Sequence, residues 1–158
     1  MKQFLSALII ATLFISCSNE PKIDKGPQKT NYTAENEKEI KEYLSKNNLT
    51  AERSNSGLYY IIDVPGTGDQ PTASSNVTVA YKGYYTNGKT FDQSKPEGLS
   101  FGLYEVIKGW TEGIAYFKTG GSGMLLIPSH LGYGSFDYRG IPGGSVLIFD
   151  VKLIAVNN

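Results

Sequence analysis

The residues best suited to chemistry in this chain are aromatic. Tyr81, the pair Phe91-Asp92, Val106-Ile107 followed by Trp110, then Tyr133 and the pair Phe149-Asp150 fall where strands and a helix are expected to converge. Such a set can enclose an apolar group and set a phenol or a carboxylate beside it. Singly, each also reads as ordinary structure: Trp110 as core, Tyr133 as a satisfied buried phenol, Asp92 as a turn cap, Asp150 as a solvated strand residue. His130, the only histidine, reads as a surface loop residue. Cys17 is the only cysteine, which excludes an intramolecular disulfide and a metal site built on cysteines. No cofactor or metal is expected.

Gly83-Tyr84-Tyr85-Thr86-Asn87-Gly88-Lys89-Thr90 matches the phosphate-binding pattern G-x-x-x-x-G-K-[ST]. That pattern works only when the loop opens directly into a helix whose N-terminus faces the phosphates. Phe91 to Pro96 is a poor helix start, and Pro96 blocks continuation. Asn87-Gly88 is instead a strong hairpin signal. Nucleotide binding is therefore set aside.

Several elements must position the aromatic set. The chain has 158 residues, 40% of them apolar, which is enough for one domain with a leader and a tail. Its 18 glycines favour a turn-rich β architecture over a helical bundle. Thr33 can cap a helix to about Asn47, with an apolar stripe at Ile40, Tyr43 and Leu44 and supporting pairs Glu37–Lys41 and Glu42–Lys46. This helix can pack on the domain or on a partner. From Gly57 onward strands dominate: Leu58 to Asp63, then Val77, Val79 and Tyr81 alternating with Thr78, Ala80 and Lys82, then Leu99, Phe101 and Leu103. Ile107, Trp110, Ile114 and Phe117 fall at helical spacing, with Gly120 where a C-cap would sit. Met124 to Ile127 is an apolar run stopped by Pro128, and Leu147, Phe149, Val151 and Leu153 mark a last long strand. The expected fold is α+β: a twisted antiparallel sheet with one short helix on its inner face and an extra N-terminal helix.

Residues 1–16 read as a signal peptide, with Lys2 at its start and an apolar stretch from Phe4 to Ile15 too short to span a bilayer. Phe14-Ile15-Ser16-Cys17 resembles a bacterial lipobox, which implies a lipid on Cys17 and attachment to a membrane. Ser18 after it fits outer-membrane sorting, on the periplasmic or surface face. Residues 17–32 form a polar tether, 33–48 the N-terminal helix, and 49–158 the folded domain. Removing residues 1–16 takes Lys2 and no acid, leaving 14 bases against 15 acids. That balance argues against a nucleic-acid binder, which usually carries a basic face. Nothing in the sequence demands a dimer, and a monomer is expected.

Five blocks occur in one order over residues 57–155: Val79-Ala80-Tyr81-Lys82-Gly83, Asn87 to Asp92, Val106 to Gly113, Leu131-Gly132-Tyr133-Gly134, and Ile141-Pro142 with Leu147 to Val151. Together they resemble the FKBP-type peptidyl-prolyl cis–trans isomerases. The resemblance implies a pocket between helix and sheet, with Trp110 as its floor and Tyr81, Phe91 and Phe149 as walls. Val106 and Ile107 would stand at the rim, Leu99 and Phe101 at a further edge, and Ile141 at the lip. Tyr133 would offer its hydroxyl and Ile107 its backbone N–H, with Asp92 the one charged group. The implied partners are proline-containing exported polypeptides and macrolide-type inhibitors. A binding module that docks proline segments without turnover, and a holdase chaperone, are the alternatives.

Overall fold

A computed structural model describes residues 31–157. The leader, Cys17 and the tether up to residue 30 lie outside the described residues. The elements are α1 (Thr33–Lys46), β1 (Glu52–Arg53), β2 (Tyr59–Val64), β3 (Asn76–Tyr84), β4 (Thr90–Gln93), β5 (Leu99–Gly102), α2 (Lys108–Gly113), β6 (Ser122–Ile127) and β7 (Leu147–Asn157), with 3₁₀ turns at Ile114–Tyr116 and Ser129–Leu131. The strands form one antiparallel sheet in the order β1-β2-β6-β7-β3-β4, and β5 pairs with β3 beside β4.

Both faces of this sheet are covered. On the inner face Leu125, Ile127, Leu147, Phe149, Val151 and Leu153 pack with Trp110, Ile114 and Phe117 from the α2 region. On the outer face Ile40 and Leu44 of α1 pack with Tyr59, Leu126, Val146 and Ile148. Apolar side chains are thus wanted on both sides of β6, which explains the unbroken run Leu125-Leu126-Ile127 where a half-buried strand would alternate. The stripe on α1 packs within the chain.

The helix on the inner face approaches β6 closely because Gly109 has no side chain; a Cβ there would lie 2.5 Å from Ile127 Cγ2. The α-helical part is shorter than its apolar spacing implies. It stops at Gly113, continues as the 3₁₀ turn, and is already extended at Phe117. Gly120 is not its cap; it sits at φ +88 in the turn into β6 and donates to Leu153 O at 2.8 Å. Thr33 is likewise the first helical residue and not the cap: Tyr32 holds that position, and Asn31 Oδ1 accepts from Thr33 N at 3.0 Å. The Glu37–Lys41 pair forms at 3.0 Å, while Glu42 faces Lys38 at 3.7 Å instead of Lys46.

Residues 83–90 form a hairpin between β3 and β4, and no helix follows until Lys108. Tyr85 N donates to Lys89 O at 3.0 Å, Asn87 Oδ1 accepts from Lys89 N at 2.9 Å, and Gly88 takes φ +84. The setting needed for a phosphate loop is absent here.

Candidate active site

Strand register brings the aromatic set together. In β3, Tyr81 lies two residues from Gly83, so both face inward. Gly83 opposes Asp92 and Tyr84 opposes Thr90, which makes Phe91 the extra residue of a β-bulge. In a regular strand Phe91 and Asp92 would point to opposite faces; the bulge lets both line the cavity. Gly83 leaves room for them, since a Cβ there would come within 2.7 Å of Phe149 and 2.8 Å of Phe91. On β7, Phe149 faces in while Asp150 faces out and accepts from Tyr84 OH at 3.0 Å.

These residues enclose a cavity of about 590 Å³ between α2 and the sheet. Trp110 is buried at the start of α2, edge-on to Tyr81 at 4.9 Å and to Phe149 at 5.1 Å, with Phe101 tilted against it at 5.3 Å. Phe91 stands edge-on to Phe149 at 5.5 Å. These centroid separations lie in the range where aromatic quadrupoles favour perpendicular rings. The indole N–H of Trp110 is buried without an acceptor among the described residues. Ile107 caps α2 with its carbonyl, which accepts from Trp110 N at 2.9 Å and Thr111 N at 3.1 Å. Among the described residues nothing accepts from Ile107 N–H.

The structure brings every expected site residue of the folded domain to this one cavity: Tyr81, Phe91, Asp92, Ile107, Trp110, Tyr133 and Phe149, together with Leu99, Phe101, Val106 and Ile141. Asp92 is not its only charged group. Glu105 and Arg139 also line it, with Tyr138 and Gly140. Glu105 is carried in by the turn after β5, where its carboxylate faces Gly102 N at 3.4 Å. Arg139 sits at φ +47 in a turn where Tyr138 and Ile141 exchange backbone hydrogen bonds of 2.9 Å. The dipeptide Arg139-Gly140 was the available signal, since it marks a tight turn within reach of Ile141. His130 is exposed, as expected, with Nε2 2.9 Å from Ser56 O.

Electrostatics keep the phenols protonated. Burial, then the hydrogen bond to Asp92 and its charge, push Tyr81 well above the ordinary tyrosine value. Burial also raises Tyr133, helped by Tyr138 and Asp92 and opposed by Arg139. Tyr133 stacks on Tyr138 at 4.9 Å with the rings 13° from parallel, and the Arg139 guanidinium lies 5.3 Å from the Tyr138 ring. The site is therefore an apolar, aromatic cup with neutral donors and three charged groups at its mouth. It has neither a nucleophile paired with a base nor a metal-ligand cluster among the described residues.

The sequence profile of the FKBP-type peptidyl-prolyl cis-trans isomerases matches residues 68–154. This chain belongs to that family. It is 44% identical over 127 residues to the FKBP-type peptidyl-prolyl cis-trans isomerase FkpA of Escherichia coli strain K12, covering 78% of this chain and 47% of that protein. FkpA of Buchnera aphidicola subsp. Schizaphis graminum is 45% identical over 109 residues, covering 67% of this chain and 43% of that one. The chain thus spans less than half the length of these curated relatives. Among solved structures, FkpA from Escherichia coli superposes with a TM-score of 0.71 at 43% identity, over 79% of this chain and 61% of that one. A peptidyl-prolyl cis-trans isomerase from Pseudomonas syringae pv. tomato gives 0.69 at 31% identity, over 84% and 100%. This FKBP-type chain carries the antiparallel sheet, the inner helix α2 and the further helix α1 at its N-terminal side.

Proposed function

We propose that this FKBP-type chain catalyses cis–trans isomerisation of X-Pro bonds in exported polypeptides, and that a lipid on Cys17 holds it at a bacterial membrane. The observation that carries the catalytic reading is the cup of Tyr81, Phe91, Phe101, Trp110 and Phe149 rings around one cavity. A peptide bond resists rotation by about 18–20 kcal/mol because resonance keeps it planar and polar. The twisted amide has lost that resonance and is less polar across C–N. An apolar cavity that takes the bond out of water therefore favours the twisted state over the planar one. The proline ring fills the cup, Ile107 N–H and Tyr133 OH hold the flanking chain, and no covalent step is needed. The reading is of a monomer. Macrolide-type inhibitors would compete for the same cup.

The deciding experiment is a protease-free prolyl isomerisation assay on the chain without residues 1–16, comparing wild type with Phe91→Ala and Asp92→Ala. Acceleration that falls in both variants, with circular dichroism unchanged, supports the reading. A folded wild type that accelerates nothing, across several residues before proline, sinks it. The second reading, a module that holds proline segments or unfolded chains with little turnover, draws on the exposed apolar lip. Leu99, Tyr133 and Tyr138 line the mouth yet remain well exposed. Suppression of aggregation that survives in Phe91→Ala would favour it. Anchoring is tested separately: Cys17→Ala should move the protein from membranes to the soluble fraction, and unchanged membrane association excludes the lipid.

A further inference from the structure

Residues 134–144 form a finger that carries Tyr138, Arg139, Gly140 and Ile141 to the cavity mouth. The finger is stiffened from within: Tyr138 and Ile141 bond to each other, and Gly143 N donates to Asp137 Oδ1 at 2.8 Å. Its neck is closed by Gly144 N donating to Gly134 O at 2.8 Å, and Gly134 N donating to Ser129 O at 2.8 Å.

One side chain from the opposite face of the sheet clamps this neck. Asn36, in the first turn of α1, is 1% exposed. Its Nδ2 donates to Gly144 O at 2.8 Å, and its Oδ1 accepts from Ser129 N at 2.8 Å. The Tyr32 ring lies against Gly144 so closely that a Cβ there would come within 2.7 Å of it. The helix that carries Asn36 is itself fixed at this end, where Glu37 accepts from Tyr59 OH at 2.6 Å. A stiff finger held at one neck moves as a lever, so a small shift at the neck is carried to the tip.

We propose that Asn36 is a positioning residue for the pocket: it locks the neck of the 134–144 finger and so sets the wall formed by Tyr138, Arg139 and Ile141. This rests on the isomerase reading. It makes α1, which lies outside the 68–154 match, part of the working unit. The finger binds substrate and takes no part in polarising the amide, so its displacement weakens substrate capture more than turnover. Misplacement of a binding wall by about 1 Å can cost up to 100-fold, so the expected rise in KM is about five- to tenfold.

The test uses the full chain with Asn36→Ala, Asn36→Asp and, as control, Ile40→Ala, which lowers stability by emptying core volume one turn beyond Asn36 but leaves both Asn36 bonds in place. The readouts are KM and kcat for a prolyl tetrapeptide, its Kd from the fluorescence of Trp110, and amide exchange across residues 132–144. Asn36→Ala should raise KM and Kd with kcat within about twofold, and should speed exchange in the finger. Asn36→Asp keeps the acceptor for Ser129 but presents a carboxylate to Gly144 O. It should be defective at pH 8 and recover toward wild type at pH 5, as the buried acid takes a proton and regains a donor. Ile40→Ala should lower the melting temperature and leave KM unchanged. If Asn36→Ala does not fold, the pH-dependent rescue of Asn36→Asp decides. Equal KM effects in Asn36→Ala and Ile40→Ala, or wild-type KM and exchange in both Asn36 variants, overturn the proposal. A wild type without turnover ends the isomerase reading instead, and Kd and finger exchange then judge the clamp by the same pattern.

Discussion

Tyr81 donates its hydroxyl to Asp92 Oδ2 at 2.7 Å, joining β3 to the bulged β4 at the cavity wall. The bond orients the phenol whose ring packs edge-on against Trp110. Tyr81→Phe keeps the ring and removes the tie, and leaves Asp92 without its donor. Loss of a hydrogen bond to a charged group is worth about 1.5–3 kcal/mol where it is made. At a half-open mouth the lower end applies, so kcat/KM should fall about tenfold. The pH profile should be flat from 6 to 9, because burial and Asp92 hold the Tyr81 phenol above its ordinary range. A rate that drops between pH 8 and 9 would mean a titrating phenol and would contradict this placement.

Trp110 separates stability from function. Its indole N–H is buried without an acceptor among the described residues, so replacing it by Phe removes no hydrogen bond seen there. The cost is the lost ring volume, about 1 kcal/mol at ordinary cavity penalties. The melting temperature of Trp110→Phe should drop only slightly, while kcat/KM falls several-fold as the floor of the cup recedes. A large loss of stability with intact activity would place Trp110 in the core alone.

Arg139 adopts φ +47, a left-handed conformation that costs a non-glycine residue about 1 kcal/mol. Arg139→Gly should therefore stabilise the fold by up to that amount. It should also shift the Glu-to-Lys rate ratio for the residue next to proline about threefold toward Lys, because the cation leaves a mouth that Asp92 and Glu105 still line. That difference between wild type and variant should fade in 0.5 M salt, where charges are screened within about 4 Å. An unchanged Glu-to-Lys rate ratio in Arg139→Gly would show that the guanidinium does not reach substrate.

Glu37 ties α1 to the sheet. Burial opposes its ionisation, but hydrogen bonds from Tyr59, Lys41 and Arg53 outweigh this and lower its pKa to about 2 from 4.5. The carboxylate is favoured in the folded state, so its contribution is complete above pH 4.5 and is lost as pH falls toward 2. The cluster is open to water on one side, which limits its worth to about 1 kcal/mol. Glu37→Gln should lower the melting temperature at pH 7, and the two proteins should converge near pH 2. A constant difference across that range would mean that packing and not charge is responsible.

Much of the site was legible because its residues are unusual types in ordered blocks, and because strand alternation assigns faces. Alternation put Val77, Val79 and Tyr81 on one side of β3 and separated Phe149 from Asp150, as observed. Alternation misleads at Phe91-Asp92, where a bulge alone lets neighbours share a face. Helical spacing likewise located Trp110 and Ile114 but overran the helix, since 3₁₀ and extended residues prolong the apolar series to Phe117.

The sequence by itself determined most of the strands, the Asn87-Gly88 hairpin and the aromatic identity of the cup, because these follow from local periodicity, turn dipeptides and residue type, whereas the two-residue β1 carries no such pattern. Tertiary structure alone decided where α1 docks, which charges enter the mouth, and that Asn36 spans Ser129 and Gly144. Those contacts join residues 93 and 108 positions apart, and no local pattern encodes a distance that only the folded sheet creates.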